Sequence, residues 1–171
     1  MTQEKLIKDN WPLFTPVLLT LAEAEDPTTR LSGVQILATF IGRCPAPTLH
    51  TTGIASLFED AAFPSLLHLP SLTPEPESVR ITTAAYAVLT GLAVKYEDAK
   101  SISRRHLLDR VLRRGVFTAY DHASQYPGVV EVLMRTAATV VNLMGMHAIR
   151  HLQVRTMIVT FKHYAHSLSL S

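Results

Sequence analysis

The chain is poor in cysteine: Cys44 is the only one among its 171 residues. A single cysteine excludes a disulfide within the chain, so a secreted fold held together by cross-links is not expected. No apolar leader follows Met1. These features favour the cytosol or the nucleus as the location of the protein.

Charged residues are also scarce, at 18% of the chain against roughly 25% in an ordinary soluble domain. Because hydrophobic residues make up 47%, we expect either extensive burial or a surface that binds a partner. The net charge of +2 is too small to indicate nucleic-acid binding by itself. The seven glycines are dispersed, which excludes a phosphate-binding loop. The longest apolar runs fall short of the ~20 residues of a membrane-spanning helix.

What the sequence does contain is helical periodicity over most of its length, with almost no strand-like alternation. We predict a first helix that begins at Thr15 and a second that is capped by Asp26, with Pro27 in its first turn. Further helices are predicted after Pro76, over residues 103–120 and after Pro127, and a last one over residues 148–166. Each predicted helix carries apolar side chains along one face.

Prolines recur at a nearly constant spacing. Pro27, Pro76 and Pro127 lie 49 and 51 residues apart, and each is placed at the start of the second helix of a pair. Arg30 and Arg80 occupy the first turns of the first two of these helices. Two helices per 40 to 50 residues is typical of an α-solenoid. The fold prediction is therefore all-α, a single HEAT-like right-handed solenoid domain of about three helix pairs plus a final helix; an up-down helical bundle is the alternative.

Several segments carry a family resemblance. "EDPTTRLSGVQIL" resembles the turn of a HEAT repeat, in which an acid–proline break precedes an arginine. More specific are "TTGIASLFEDAAFPSLLHLPSLTPEPES", "LLDRVLRRGVFTAYDHA" and "GMHAIRHLQ", which follow "WPLFTPVLLTL" in that order. With these segments the chain resembles the Tel-two-interacting protein two family over residues 10–153.

The resemblance implies a non-catalytic helical-repeat adaptor of the TTT co-chaperone complex. Its implied partners are the Tel-two and Tel-two-interacting protein one subunits. Together these proteins bring newly made phosphatidylinositol-kinase-related protein kinases to the ninety-kilodalton heat-shock chaperone, in the cytoplasm and the nucleus. Members of the family are longer at both ends, so a shortened chain is expected. Residues 154–171 depart from the family pattern and form a possible non-family tail.

The densest charge lies in the predicted helix over residues 103–120. Its arginines are Arg104, Arg105, Arg110, Arg113 and Arg114. They form either a solvated face whose long stems shield apolar surface, or a docking site for an acidic partner, or a site for nucleic-acid phosphates. The last option makes a nucleic-acid-binding helical-repeat protein the alternative function, although no aromatic side chains interleave these arginines.

The last predicted helix carries an apolar stripe that includes Val154, Ile158 and Phe161. No further helix follows to cover it, whereas the end of a solenoid normally has a polar outer face. The stripe therefore predicts partner binding, self-association or truncation, unless the helix folds back onto the preceding pair. Arg30 and Arg80, near Asp26 and Glu77, are interpreted as structural.

Histidine pairs are the best candidates for a metal site. His147 and His151 are four residues apart, and His163 and His166 are three apart, so each pair shares a helical face. A zinc enzyme needs a third ligand, and no HExxH pattern is present. We expect no metal, no cofactor and no catalytic residue, and the protein is not expected to be an enzyme.

Overall fold

The computed structural model describes residues 3–96 and 101–151, and this part of the chain is all-helical, as predicted. It contains eight α-helices: α1 Gln3–Ala22, α2 Pro27–Arg43, α3 Ala46–Thr51, α4 Ile54–Ala62, α5 Glu75–Lys95, α6 Ile102–Arg110, α7 Thr118–Ala123 and α8 Pro127–Met144. Two 3-10 segments, Phe63–Leu67 and Gly145–His151, follow α4 and α8, and a π-helical segment, Val111–Phe117, joins α6 to α7. No strand occurs in either described range.

The predicted start of helix α1 is wrong. The helix begins at Gln3 rather than Thr15, and both Pro12 and Pro16 lie inside it. Thr15 is not a cap: its side chain is buried, and its hydroxyl donates a hydrogen bond to the carbonyl oxygen of Trp11 at 2.9 Å. Packing overrides the local preference, because the apolar side of α1 is held against the core through residues such as Leu18.

Helix α2 has the cap that its sequence predicts. The Asp26 carboxylate accepts hydrogen bonds from the Thr29 backbone N–H and hydroxyl, at 2.8 and 2.7 Å, and these bonds lower the pKa of Asp26. Pro27 occupies the first turn, where its missing N–H leaves no bond unmade. The buried residues of α2 form one helical stripe: Leu31, Gly33, Val34, Leu37 and Ile41.

Gly33 allows α2 to pack closely against α1. A Cβ atom at this position would overlap the backbone of α1 at Leu21 and Ala22. The absence of a side chain therefore lets α2 lie directly on the last turn of α1.

Helix α6, the π-helical segment and α7 follow one another without a break, and we refer to residues 102–123 as the composite helix. Its apolar arc is buried as the periodicity predicts, with Leu107, Leu108, Val111 and Leu112 in the core. Within the π-helical segment, Gly115 lies against α5: a Cβ there would be 3.1 Å from the Tyr86 ring and 3.1 Å from a Leu66 methyl group.

The second helices of the three pairs lie side by side. Helix α2 packs against α1 on one side and α5 on the other, and α5 also packs against α8. Helix α4 packs against α1 and α5, and the composite helix packs against α8 and α5. One continuous apolar core runs between these helices. Helix α5 is therefore the central element of the described region.

Helix α8 and the segment after it, Pro127–Ile149, are long and apolar enough to cross a membrane by length and composition alone. One side of α8 is buried against α5 and the composite helix, through residues such as Leu133, Ala137 and Val140. A core helix of a globular protein has the same composition, so this segment is weak support for a membrane span.

Candidate protein-docking surface

Arg110 is turned inward from the composite helix toward α4. Its guanidinium lies 3.5 Å from a Glu59 carboxylate oxygen, 3.4 Å from an Asp60 oxygen and 4.1 Å from the centre of the Phe63 ring. A cation held over an aromatic face and between two carboxylates links two helices rather than facing a partner.

Glu59 is unusual because a carboxylate is almost completely buried at this contact. Burial raises the pKa of Glu59, and the nearby Arg110 only partly offsets that effect. The Tyr96 hydroxyl donates a hydrogen bond to Glu59 at 3.3 Å, and burial together with the Glu59 charge raises the pKa of Tyr96 to about 12. The group joins α4, the end of α5 and α6 at one edge of the fold.

Three helix C-termini are closed by cationic side chains from elsewhere in the fold. Arg30 donates to the carbonyl oxygens of Ala24 and Glu23 at 2.8 and 3.1 Å, just beyond α1. Lys95 donates to those of Gly42 and Cys44 at 3.0 and 2.8 Å, at the end of α2. Arg104 reaches the carbonyl oxygen of Leu143 in α8 at 3.4 Å. Each cation satisfies carbonyl groups that lack a helical partner and lies at the negative end of the helix dipole.

The other three arginines of the predicted cluster do not form one site with Arg104 and Arg110. Arg113 is 3.2 Å from Asp109 one turn earlier in the sequence, Arg105 is half-buried, and Arg114 is exposed. The structure thus directs Arg110 toward α4 and Arg104 toward α8, with the other three elsewhere on the composite helix. It does not assemble the five predicted residues into one cationic site, and their role in partner binding stays a prediction.

Val154, Ile158 and Phe161 lie outside the described residues, and so do His163 and His166. The partner-binding role of the apolar stripe therefore stays a prediction. In the described ranges no cluster of three or more metal-ligating side chains occurs.

The two arginines interpreted as structural differ sharply. Arg30 is half-buried, and its guanidinium donates hydrogen bonds to backbone carbonyl groups. Arg80 is exposed, and its side chain makes neither a hydrogen bond nor an ion pair with any described residue. A different structural link was not predicted from the sequence: the Glu75 carboxylate accepts a hydrogen bond from the Gly128 N–H at 3.0 Å. An acidic residue in the first turn of α5 was the available signal, but its partner on α8 is 53 positions away.

Two shallow grooves flank α5 on the outer face of the layer formed by α2, α5 and α8. The α2–α5 groove includes Gln35, Thr39, Arg80, Thr83 and Ala87. The α5–α8 groove includes Thr83, Ala87, Thr90, Arg135 and Thr139. Neither groove was predicted from the sequence, because helical periodicity indicates which side chains point outward but not which neighbouring helix lies beside them.

Several large apolar side chains are also exposed, and no single helix holds them. They lie on α1 and α2 (Leu13, Phe14, Val17 and Ile36), on α4 and the 3-10 segment after it (Leu57 and Leu67), in the connector before α5 (Leu72), on α5 and α6 (Val94 and Ile102) and in the 3-10 segment after α8 (Met146 and Ile149). Scattered exposure of this kind is ordinary, but several such positions within one domain suit a protein that assembles with others.

The fold and these surfaces define a class of protein: an all-helical domain in which several charged side chains join one helix to another. Comparison with known protein families gives the specific assignment. A family model of the Tti2 family matches residues 1–160, and the chain belongs to this family. The resemblance to the Tel-two-interacting protein two family is thereby confirmed. The match also includes residues 154–160, the beginning of the segment that was predicted to depart from the family.

No curated protein and no solved structure matches the chain. Membership of the Tti2 family supports, at a coarse level, a role as a subunit of the TTT co-chaperone complex and hence as a protein-binding scaffold.

Proposed function

We propose that the protein is a non-catalytic adaptor subunit of the TTT complex that binds the Tel-two and Tel-two-interacting protein one subunits. In this role it supports the maturation of phosphatidylinositol-kinase-related protein kinases by the heat-shock chaperone machinery, in the cytoplasm and the nucleus. The observation that carries the proposal is the family match over residues 1–160, which includes every described helix.

We further propose that the fold is a short HEAT-like solenoid. Support comes from the side-by-side arrangement of α2, α5 and α8, since stacked helix pairs place equivalent helices next to each other. The Asp26 cap of α2 and the Glu75 contact to the start of α8 lie at corresponding places in successive pairs. Such a stack offers a long ridge on which a partner protein can dock.

The test is co-expression of the tagged full chain with Tel-two-interacting protein one and Tel-two, followed by affinity purification and size-exclusion chromatography. We expect all three to co-elute. The matched control is Val34→Asp, which puts a charge at a fully buried position of α2 and should abolish folding and binding together. Failure of the folded wild-type chain to retain either subunit would contradict the proposal.

A cellular arm tests the maturation role. Cells depleted of the endogenous protein are given the wild-type chain or Val34→Asp, and the steady-state amounts of the kinases are followed by immunoblotting. The wild-type chain should restore the kinases and the control should not. Equal kinase amounts with both would count against the maturation role.

A further inference from the structure

The two grooves beside α5 have two lining residues in common. Thr83 and Ala87, one helical turn apart on α5, line both the α2–α5 groove and the α5–α8 groove. Both are exposed. A ligand that crosses α5 at this point would therefore enter both grooves at once.

The charged side chains that line the two grooves are all positive among the described residues. Among the described residues that line them, the only charged side chain of the α2–α5 groove is Arg80, and that of the α5–α8 groove is Arg135. Arg135 pairs with Glu131 on the same helix, but both side chains are well exposed, so the pair is easily exchanged for another. Arg80 has no ion-pair partner in the described ranges, although Glu77 shares a neighbouring crevice with it.

The grooves also carry hydrogen-bonding groups that the fold does not use. The Thr83 hydroxyl and the Gln35 amide are exposed and make no hydrogen bond within the described part of the chain. Most other threonine hydroxyls on these helices, such as those of Thr39, Thr90 and Thr139, bond to a carbonyl one turn earlier. Free hydroxyl and amide groups beside small side chains suit the backbone of an extended peptide, whose N–H and C=O groups need partners.

We propose that this surface binds an extended, acidic segment of a partner protein, which crosses α5 over Thr83 and Ala87 and places one carboxylate on Arg80 and another on Arg135. The proposal rests on the proposed function, because it names the part of a partner subunit that the adaptor recognises. Charge complementarity selects the occupant: two arginines, one in each groove, face no lining carboxylate.

The spacing of the acids follows from the helix packing. The grooves lie on opposite sides of a single helix, so their centres are separated by about 8–10 Å, the usual distance between packed helices. An extended chain advances about 3.3 Å per residue. Because successive side chains of an extended chain point to opposite faces, the segment should carry its two carboxylates at an even spacing, two or four residues apart.

The first experiment measures affinity in the reconstituted complex, with Tel-two-interacting protein one and Tel-two as the probes. Arg80→Glu reverses the free charge, and Ala87→Trp fills both grooves without changing charge. The matched controls are Arg43→Glu and Ala138→Trp, which change exposed residues outside the grooves and outside the arginine cluster of the composite helix. We expect Arg80→Glu to bind roughly tenfold to hundredfold more weakly, the effect of losing a charged hydrogen bond. Ala87→Trp should bind more weakly because the indole ring occupies the grooves, and the controls should bind like the wild type.

The second experiment locates the acidic segment. Arg80→Lys keeps the cation and supplies an amine, which a carbodiimide joins to a carboxylate in direct contact; mass spectrometry then identifies the cross-linked peptide. We expect a cross-link from position 80 to an Asp or Glu of a partner subunit, in a segment with a second acid two or four residues away, and none from Arg43→Lys. A cross-link to a second copy of this chain or to an isolated acid in a partner helix would overturn the proposal.

The outcomes separate the two proposals. If the wild-type chain binds the subunits but Arg80→Glu and Ala87→Trp bind equally well, the grooves are not the site and the adaptor function stands. If the wild-type chain binds neither subunit, the proposed function fails and this inference fails with it. Circular dichroism melting of each variant shows whether it is folded, and Arg80→Glu alone decides the question if Ala87→Trp is not.

Discussion

At the scale of single residues, position within the chain does not determine what an arginine does. Arg30 and Arg80 occupy equivalent first-turn places, yet only Arg30 is bonded to backbone carbonyls. The reason is the preceding connection. α1 ends at Ala22, four residues before Asp26 caps α2, so free carbonyl groups lie beside Arg30. Arg80 follows a proline-rich connector instead, and its side chain bonds to no carbonyl group of the described residues.

We expect Arg30→Ala to lower the free energy of unfolding by about 1–2 kcal/mol, because two charge-assisted hydrogen bonds and a favourable dipole contact are lost. Arg80→Ala, the matched control, should change it by less than about 0.5 kcal/mol. Urea titration followed by circular dichroism measures both. An unchanged melting curve for Arg30→Ala, with weaker subunit binding, would show that Arg30 is a docking residue instead.

Glycines give a second comparison at this scale. Gly33→Ala introduces a Cβ that overlaps the α1 backbone, and we expect a loss of about 1–3 kcal/mol as the two helices separate. Gly42→Ala, in the same helix with nothing within 4 Å of its Cβ, should be neutral or up to about 1 kcal/mol more stable. Thermal denaturation of the two variants distinguishes close helix contact from simple helix propensity. Equal effects of both would contradict the contact.

At the scale of helices and their contacts, sequence periodicity predicted the buried faces well and some boundaries poorly. The apolar arc at Leu107 and Leu108 and the Asp26 cap follow from local spacing alone. The start of α1 does not, because the prolines inside it are tolerated through packing. The π-helical segment lies where Gly115 meets Tyr86 of α5, a contact between residues far apart in sequence.

The docking surfaces were also harder to predict, because they too depend on contacts between residues that are far apart in sequence. The arginines of the composite helix are obvious in the sequence, but Glu59 and Asp60, which receive Arg110, lie about 50 residues away. The grooves exist only where two helices adjoin, so no single segment carries their signal.

The buried Glu59 gives a pH prediction for the contact between α4 and α6. Its pKa is raised in the folded state by burial, so the folded protein favours the protonated carboxyl. Stability from this group is therefore present at low pH and is lost as the pH rises through the folded pKa. Glu59→Gln remains neutral throughout. We expect the stability of Glu59→Gln relative to wild type to increase from pH 4 to pH 7.

Thermal denaturation of both proteins across this pH range measures the difference, and other carboxyl groups cancel in the comparison. A relative loss of stability for Glu59→Gln as the pH rises would mean that the Arg110 contact outweighs the burial of the carboxylate.

At the scale of the whole molecule, the solenoid proposal concerns shape. A compact chain of 171 residues has a radius of gyration near ~15.5 Å. A row of stacked helix pairs is longer in one direction, so we expect small-angle scattering to give a value a few ångströms larger. Size-exclusion chromatography with light scattering must show a monomer, since a dimer also raises the radius. A monomer at the compact value would favour the helical bundle.

The contact between Lys95 and the end of α2 has a consequence for biosynthesis. The carbonyl groups that it closes are made long before it: Cys44 precedes Lys95 by 51 positions. While a ribosome is still translating α5, Lys95 is not yet in place. The carbonyl groups at the end of α2 can then accept hydrogen bonds only from water. We therefore expect the end of α2 to be closed only after α5 has been synthesised and has packed against it.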